Sequence, residues 1–417
     1  FALYDYKPEL VVRNTERYCQ GLATAAILIP DNSFPPYFLK REGQVYLNTW
    51  HGTPLKTLGK SELQNVKSMA NLQKNYLMSD YALFPNEFTR DVFMKDYMLE
   101  YLYRGQVVLC DYPRNSIFLD QEHAGTLREA LGLQDKQLIA YMPTWRGANR
   151  QAQIEEQKQI LQEYFSRLDG LLRDDQIFYV NLHFLVGNIM DYGEYRHIRP
   201  FPPEYETYDF LALCDMLVTD YSSVFFDFAV TGKKIILFPY DLEEYLAERG
   251  TYMSMDSLPF PQVFTAEELA REIGRPEAVP EWGDFLDTYC AYRDIHVPEY
   301  LMELLAEHQS AHVKLEAPPS DDRKLLMVYA GKMGNKYFNR YLPDGMNFLY
   351  LVLEHNFSRW ERIWAGLAIR NRWVARWADG KLQAAYQREW ERLFDQLEPD
   401  RIVNFSGRPN YMYKIIA

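Results

Sequence analysis

Short runs of β-branched and aromatic residues alternate along the chain with longer stretches whose apolar positions recur at helical spacing. This is the pattern of parallel α/β domains. The runs predict strands at 9–13, 25–29, 45–47, 81–84, 106–109, 138–142, 177–181, 216–219, 235–238 and 325–329, and the spacing predicts helices over 61–77 and 151–173. Turn chemistry at 110–115 (CDYPRN) separates two such series and predicts a domain boundary. A second boundary is expected at 316–322 (EAPPSDD), a proline-rich acidic linker. Beyond it, 324–334 (KLLMVYAGKMG) reads as a strand running into a glycine loop, and 401–407 (RIVNFSG) as another strand and turn. Together they look like the opening of a further Rossmann-like domain. The glycines there do not fall as GxGxxG, so no dinucleotide cofactor is expected.

Charge changes sign at that linker. The 417 residues hold 45 Lys and Arg against 58 Asp and Glu, a net −13. Residues 323–417 carry 16 basic and 9 acidic side chains, whereas 1–322 carry 29 and 49. A general nucleic-acid binder is excluded by this balance. Five of the eight tryptophans fall in the basic tail. Within it, Trp360, Ile363, Trp364, Leu367 and Val374 share a helical face among basic residues, the composition of an interfacial helix. Asn371 interrupts that face and Trp373 and Trp377 point elsewhere, so a packed domain helix is the expected form.

Cys19, Cys110, Cys214 and Cys290 lie far apart without CxxC spacing, which points to neither a disulfide framework nor a zinc knuckle and fits a reducing, cytoplasmic setting. No apolar run reaches the roughly 18 residues of a membrane-spanning helix. Membrane contact is therefore expected to be peripheral. The chain opens on Phe1 and closes in an apolar stretch, as expected of a piece of something longer.

The densest chemical signal is 48–56 (NTWHGTPLK), directly after the strand expected at 45–47. A strand ending in a His51-Gly52 turn puts an imidazole where open α/β sheets place reactive groups, able to take a proton from an attacking hydroxyl. Thr53 and Pro54 read as an N-cap and first helical residue, which would turn free N–H groups toward the same crevice, and Lys56 ends the motif. A histidine that merely caps a turn is the alternative. The segment 219–228 (TDYSSVFFDF) offers Asp220, Ser222 and Ser223 at a strand-to-helix turn, a cradle for phosphate or else an ordinary capped helix start. Arg146 and His183 end two further strands, and either could instead be a loop charge or a satisfied core histidine. Asp241 and Glu244 follow the next strand and could accept from ribose hydroxyls or simply begin an acidic helix. There is no GxxxxGK[ST], HExxH or GxSxG, so metal-dependent phosphate chemistry has no direct support and no metal is expected.

Taken together, 16–29 (ERYCQGLATAAILI), 48–56, 112–115 (YPRN), 142–147 (MPTWRG), 218–229 (VTDYSSVFFDFA) and 231–245 (TGKKIILFPYDLEEY) resemble the CDP-glycerol glycerophosphotransferases, which build teichoic acid and related capsule-type polymers. The resemblance spans roughly 9–310. It implies a GT-B architecture, two Rossmann-like domains facing across a cleft. Residues 1–111 would be the acceptor-side domain, incomplete at its start, and 112–315 the CDP-alditol domain; 323–417 would be a partial α/β segment opening a second glycosyltransferase domain.

The resemblance further implies catalytic roles for His51, as general base, and for His183, against the donor diphosphate. It places Arg146, Asp220, Ser222 and Ser223 at the substrate, and the local motifs add Thr53, Lys56 and Asp241 as substrate-binding candidates. The donor would be CDP-glycerol or CDP-ribitol, and the acceptor a lipid-linked polyol-phosphate chain at the inner membrane surface, with no nucleic acid, no cofactor and oligomeric state left open. A nucleotide-sugar GT-B transferase and a non-catalytic binding module are the competing readings.

Overall fold

The computed structural model describes residues 8–62, 69–144, 151–182, 184–187, 189–243, 245, 250–276, 282–318, 326–329, 347–350, 357–370 and 372–394. Nine strands precede residue 240 among these: β1 (Ile27–Leu28), β2 (Val45–Asn48), β3 (Tyr81–Phe84), β4 (Gln106–Leu109), β5 (Gln137–Tyr141), β6 (Gln176–Val180), β7 (Ile198–Pro200), β8 (Met216–Thr219) and β9 (Lys234–Leu237). They are followed by β10 (Lys314–Glu316), β11 (Leu326–Tyr329) and β12 (Asn347–Tyr350). The first sheet runs β1-β2-β3-β4-β10 and the second β7-β6-β5-β8-β9. All pairings in them are parallel except β10 on β4.

Strands buried on both faces read as unbroken apolar runs, which is why β3, β5, β6 and β8 were visible in the sequence. Period-two alternation then deals their side chains to two cores. Leu138, Ala140, Ile177, Tyr179, Leu217, Ile235 and Leu237 enter one face of the second sheet. Ile139, Tyr141, Phe178, Val180, Met216, Val218 and Ile236 enter the other. In the second sheet the strand order reverses beside β5, so the ends of β5 and β8 flank the switch-point crevice where open α/β sheets bind ligands.

Several expectations are corrected. Residues 9–13 form no strand: Leu10 and Val12 are 77% and 74% exposed, and the chain instead enters the helix Glu16–Thr24, whose cap Thr15 accepts from the Tyr18 N–H. Of the helix expected over 61–77, the described part begins at Met69 and ends at Met78. The helix from Gln151 stops at Asp169, short of 173. The strands β7, β10 and β12 were not anticipated. β7 and β10 have three residues each, too few to show a period, and β7 carries a proline.

The two halves are not divided by a single cut. Helix Val297–Glu307 packs Val297, Leu301, Leu304 and Leu305 against Leu47, Leu83 and Val108 of the first sheet, and β10 extends that sheet. Residues 297–315, expected with the second half, thus return to the first. After the linker, β11 and β12 pair in parallel, and helices Arg359–Arg370 and Arg372–Phe394 enclose a small cluster of their own. The strand expected over 401–407 lies outside the described residues. Among the described residues no helix is long and apolar enough to cross a membrane.

Candidate active site

The loop after β2 is held in an unusual shape. Trp50 adopts φ 56°, a region that bulky residues avoid, and the Asn48 side chain supports it by accepting from the Trp50 N–H at 3.0 Å. The Trp50 ring is buried edge-on against Phe93, while His51 stands exposed and stacks on Trp50 at 3.9 Å. His51 Nδ1 lies 2.8 Å from the Asp31 carbonyl oxygen. A carbonyl only accepts, so Nδ1 carries the proton and the lone pair of the neutral ring sits on Nε2. That is the tautomer a general base requires.

Gly52 then brings this loop against the second half. Its N–H donates to the Tyr112 hydroxyl at 3.1 Å, and a β-carbon placed on it would come within 2.8 Å of Ser223 Oγ. Ser222 and Ser223 are half-buried, and Ser223 precedes the short helix Val224–Ala229 without making a side-chain cap bond, so the simple capping alternative does not describe it. The histidine turn and the serine turn therefore face each other across the gap between the sheets.

Other candidates hold the scaffold. Asp220 is fully buried, and its carboxylate accepts from Thr144 N at 2.8 Å and 3.0 Å and from the Tyr221 N–H, pinning the exit of β5 to that of β8. Thr53 and Pro54 start no helix. Thr53 is buried, accepting from the Asn86 amide at 3.0 Å beside Thr89, because Asn86 caps the helix Glu87–Asp96 and its amide is satisfied by that hydroxyl. Lys56 bridges to Thr251 and lies 5.7 Å from the Tyr245 ring centre. Tyr245 stacks on Tyr221 at 3.7 Å, and Tyr221 donates to Asp241 at 3.1 Å. Asp241 also borders an open cavity of about 810 Å³ with Tyr164, Tyr240 and Phe264. His183, Arg146 and Glu244 lie outside the described residues. Among the described residues no group of three or more His, Cys, Asp and Glu could hold a metal ion.

Local reading assigned no role to the linker between the sheets, which ties the site together. Arg114 donates to the His51 carbonyl at 2.9 Å and to Asp227 at 2.8 Å, with its guanidinium over the Tyr112 ring at 4.4 Å. Asp227 also accepts from the Tyr208 hydroxyl at 2.6 Å and from Asn115 at 3.3 Å. Burial works against the Arg114 charge, but Asp227 together with Tyr208 and Tyr112 outweighs it and holds the guanidinium above its ordinary range. Nearby, burial pushes the Asp111 carboxyl up to about 7, against the Tyr112 N–H and the Asn115 amide, which it accepts at 2.7 Å and 2.9 Å. Both halves of the clamp were in view, in YPRN and in TDYSSVFFDF, but nothing local showed that they meet.

The family profile for CDP-Glycerol:Poly(glycerophosphate) glycerophosphotransferase matches residues 3–307. The chain is 29% identical over 321 residues to a teichoic acid poly(glycerol phosphate) polymerase of Staphylococcus epidermidis, covering 71% of this chain and 43% of that one. It is 33% identical over 246 residues to a teichoic acid glycerol-phosphate transferase of Staphylococcus aureus, covering 55% and 61%. The chain thus spans less than half the length of the first of these relatives. Among solved structures, the wall teichoic acid polymerase TagF superposes with a TM-score of 0.61 at 26% identity, covering 72% of this chain and 77% of that one. The two facing Rossmann-like sheets are accordingly a GT-B fold. On the length of the profile match, the chain belongs to the CDP-Glycerol:Poly(glycerophosphate) glycerophosphotransferase family.

Proposed function

We propose that this chain transfers glycerol phosphate from CDP-glycerol to the terminal hydroxyl of a lipid-linked polyol-phosphate chain, releasing CMP, in teichoic acid or capsule-type polymer synthesis. The observation that carries the reading is the apposition of Gly52, next to His51, with Ser223 across the gap. In this mechanism His51 Nε2 takes the proton of the acceptor hydroxyl as its oxygen attacks the β-phosphorus. The bond from that phosphorus to the bridging oxygen breaks, and CMP leaves with the electron pair. Ser222 and Ser223 cradle the diphosphate, with His183 and Arg146 assigned there by the family resemblance. A positioned base supplies ~10²–10⁴-fold, and preorganised donors supply the rest. The chain works on the cytoplasmic side, peripheral to the membrane.

The test is product analysis with CDP-glycerol and CDP-ribitol in turn and a lipid-like acceptor. CMP release with CDP-glycerol supports the reading. Release of CDP or UDP from a nucleotide sugar, with no CMP from either alditol donor, overturns it, and preference for CDP-ribitol reassigns the alditol.

A further inference from the structure

The helix pair 359–394 carries apolar side chains on its outer side as well as its inner one. Its core is Phe357, Ala368, Ala378, Leu382, Ala385 and Tyr386, so small residues fill much of the contact between the helices. Other large apolar side chains are exposed: Trp360, Trp373 and Trp377 are 71%, 82% and 60% exposed, and Ile363 and Leu367 are exposed beside them. A water-facing helix normally does the reverse.

Residues 360, 363 and 367 share one face of the first helix, and 373 and 377 share one of the second. The rings of Trp364 and Trp377 lie 4.9 Å apart, which joins the two faces into one surface. Exposed Arg359, Arg362 and Arg376 rim it, while the acid of the first helix, Glu361, is paired with Arg388 at 2.9 Å.

A contiguous apolar patch rimmed by cations marks an interaction surface. Its chemistry selects the partner. Tryptophan with arginine suits the boundary between headgroups and acyl chains, and Ile363 and Leu367 add aliphatic groups that reach further in. Stacking on single-stranded nucleic acid would use flat rings without them. Residues 1–322, with 49 acidic side chains against 29 basic, are repelled by an anionic surface, so the chain approaches by this face.

We propose that the outer face of this helix pair docks on a bilayer rich in anionic phospholipid. It supplies the membrane contact that the functional reading above calls for, but its measurement needs no turnover, so the two can fail separately.

The experiment is co-sedimentation of the full chain with vesicles of phosphatidylcholine alone or with 30% phosphatidylglycerol. Binding to the mixed vesicles, weakened at high salt, is expected. Replacing Arg359, Arg362 and Arg376 by Gln should lower partitioning roughly 10²-fold, at about 1 kcal/mol per charge and 1.4 kcal/mol per tenfold. Trp360→Ser, Trp373→Ser and Trp377→Ser together should lower it at least ~10-fold with unchanged circular dichroism. Should that variant misfold, quenching of wild-type tryptophan fluorescence by brominated lipid gives the same answer. No binding by the wild type, no quenching, or equal binding by the folded tryptophan variant overturns the proposal. So does self-association abolished by the tryptophan changes while vesicle binding persists.

Discussion

Ser223 Oγ lies 2.8 Å from where a β-carbon on Gly52 would stand, so the histidine loop of one sheet and the serine turn of the other meet with no room for a methyl group. The crowded atom is the end of a side chain, which can rotate away. Gly52→Ala is therefore expected to leave the fold within about 1 kcal/mol of wild type but to displace the hydroxyl and raise KM for the donor. The cycle with Ser223→Ala checks this. The double variant should bind donor no worse than Ser223→Ala alone, and purely additive losses would show that the two residues do not compete for the space.

His51 is exposed, and its ring makes a hydrogen bond through Nδ1 to the Asp31 carbonyl and a stack on Trp50, while the Arg114 contact is to its backbone, so its replacement should spare the fold. His51→Ala is expected to lower kcat at least ~10²-fold with donor affinity little changed, as measured by CMP release and equilibrium donor binding. Unchanged turnover would remove His51 as the base.

The parts of this site legible in the sequence are those whose causes are local. Strands β3, β4 and β8 end where expected because their apolar runs give way within two residues to turn-forming or polar ones, Pro85-Asn86, Asp111 and Asp220. The positions of His51 and of the serine pair follow from the strands they end. The partners that hold Thr53 and Asp220 were not legible because they are distant: Asn86 is 33 residues from Thr53, and Thr144 is 76 from Asp220. Buried polar side chains at strand ends look alike in sequence whether they face a ligand or another loop. The Arg114–Asp227 pair spans 113 residues and was invisible for the same reason.

Arg114 joins the His51 carbonyl to Asp227, which is nearly fully buried. Arg114→Ala strips the carboxylate of its cation and is expected to cost roughly 3–5 kcal/mol in urea unfolding. Arg114→Lys keeps a charge near Asp227 but has no fork to reach both partners. It should cost less stability, yet lower kcat about 10-fold or more, with little change in KM. A kcat loss that merely tracks lost stability in both variants would exclude a positioning role.

Asp111 gives the linker a pH dependence whose sign is fixed by burial. Its folded carboxyl titrates at about 7, above the ordinary ~3.9. Between those values the folded chain holds a proton that the unfolded chain has released, so the stabilisation is fully present below about pH 4 and is lost as pH rises through 7. The charged and polar groups around it are Asp227, which raises the value, and Arg114, Asn115 and the Tyr112 N–H, which lower it. Asp111→Asn keeps an oxygen for the Tyr112 N–H and the Asn115 amide but never becomes charged. In urea unfolding the variant should match wild type near pH 3 and exceed it by roughly 1.5 kcal/mol at pH 5 and roughly 4 kcal/mol at pH 8. A difference that is the same at all three pH values would mean that Asp111 is ionised throughout, and that the linker holds a buried anion instead of a proton.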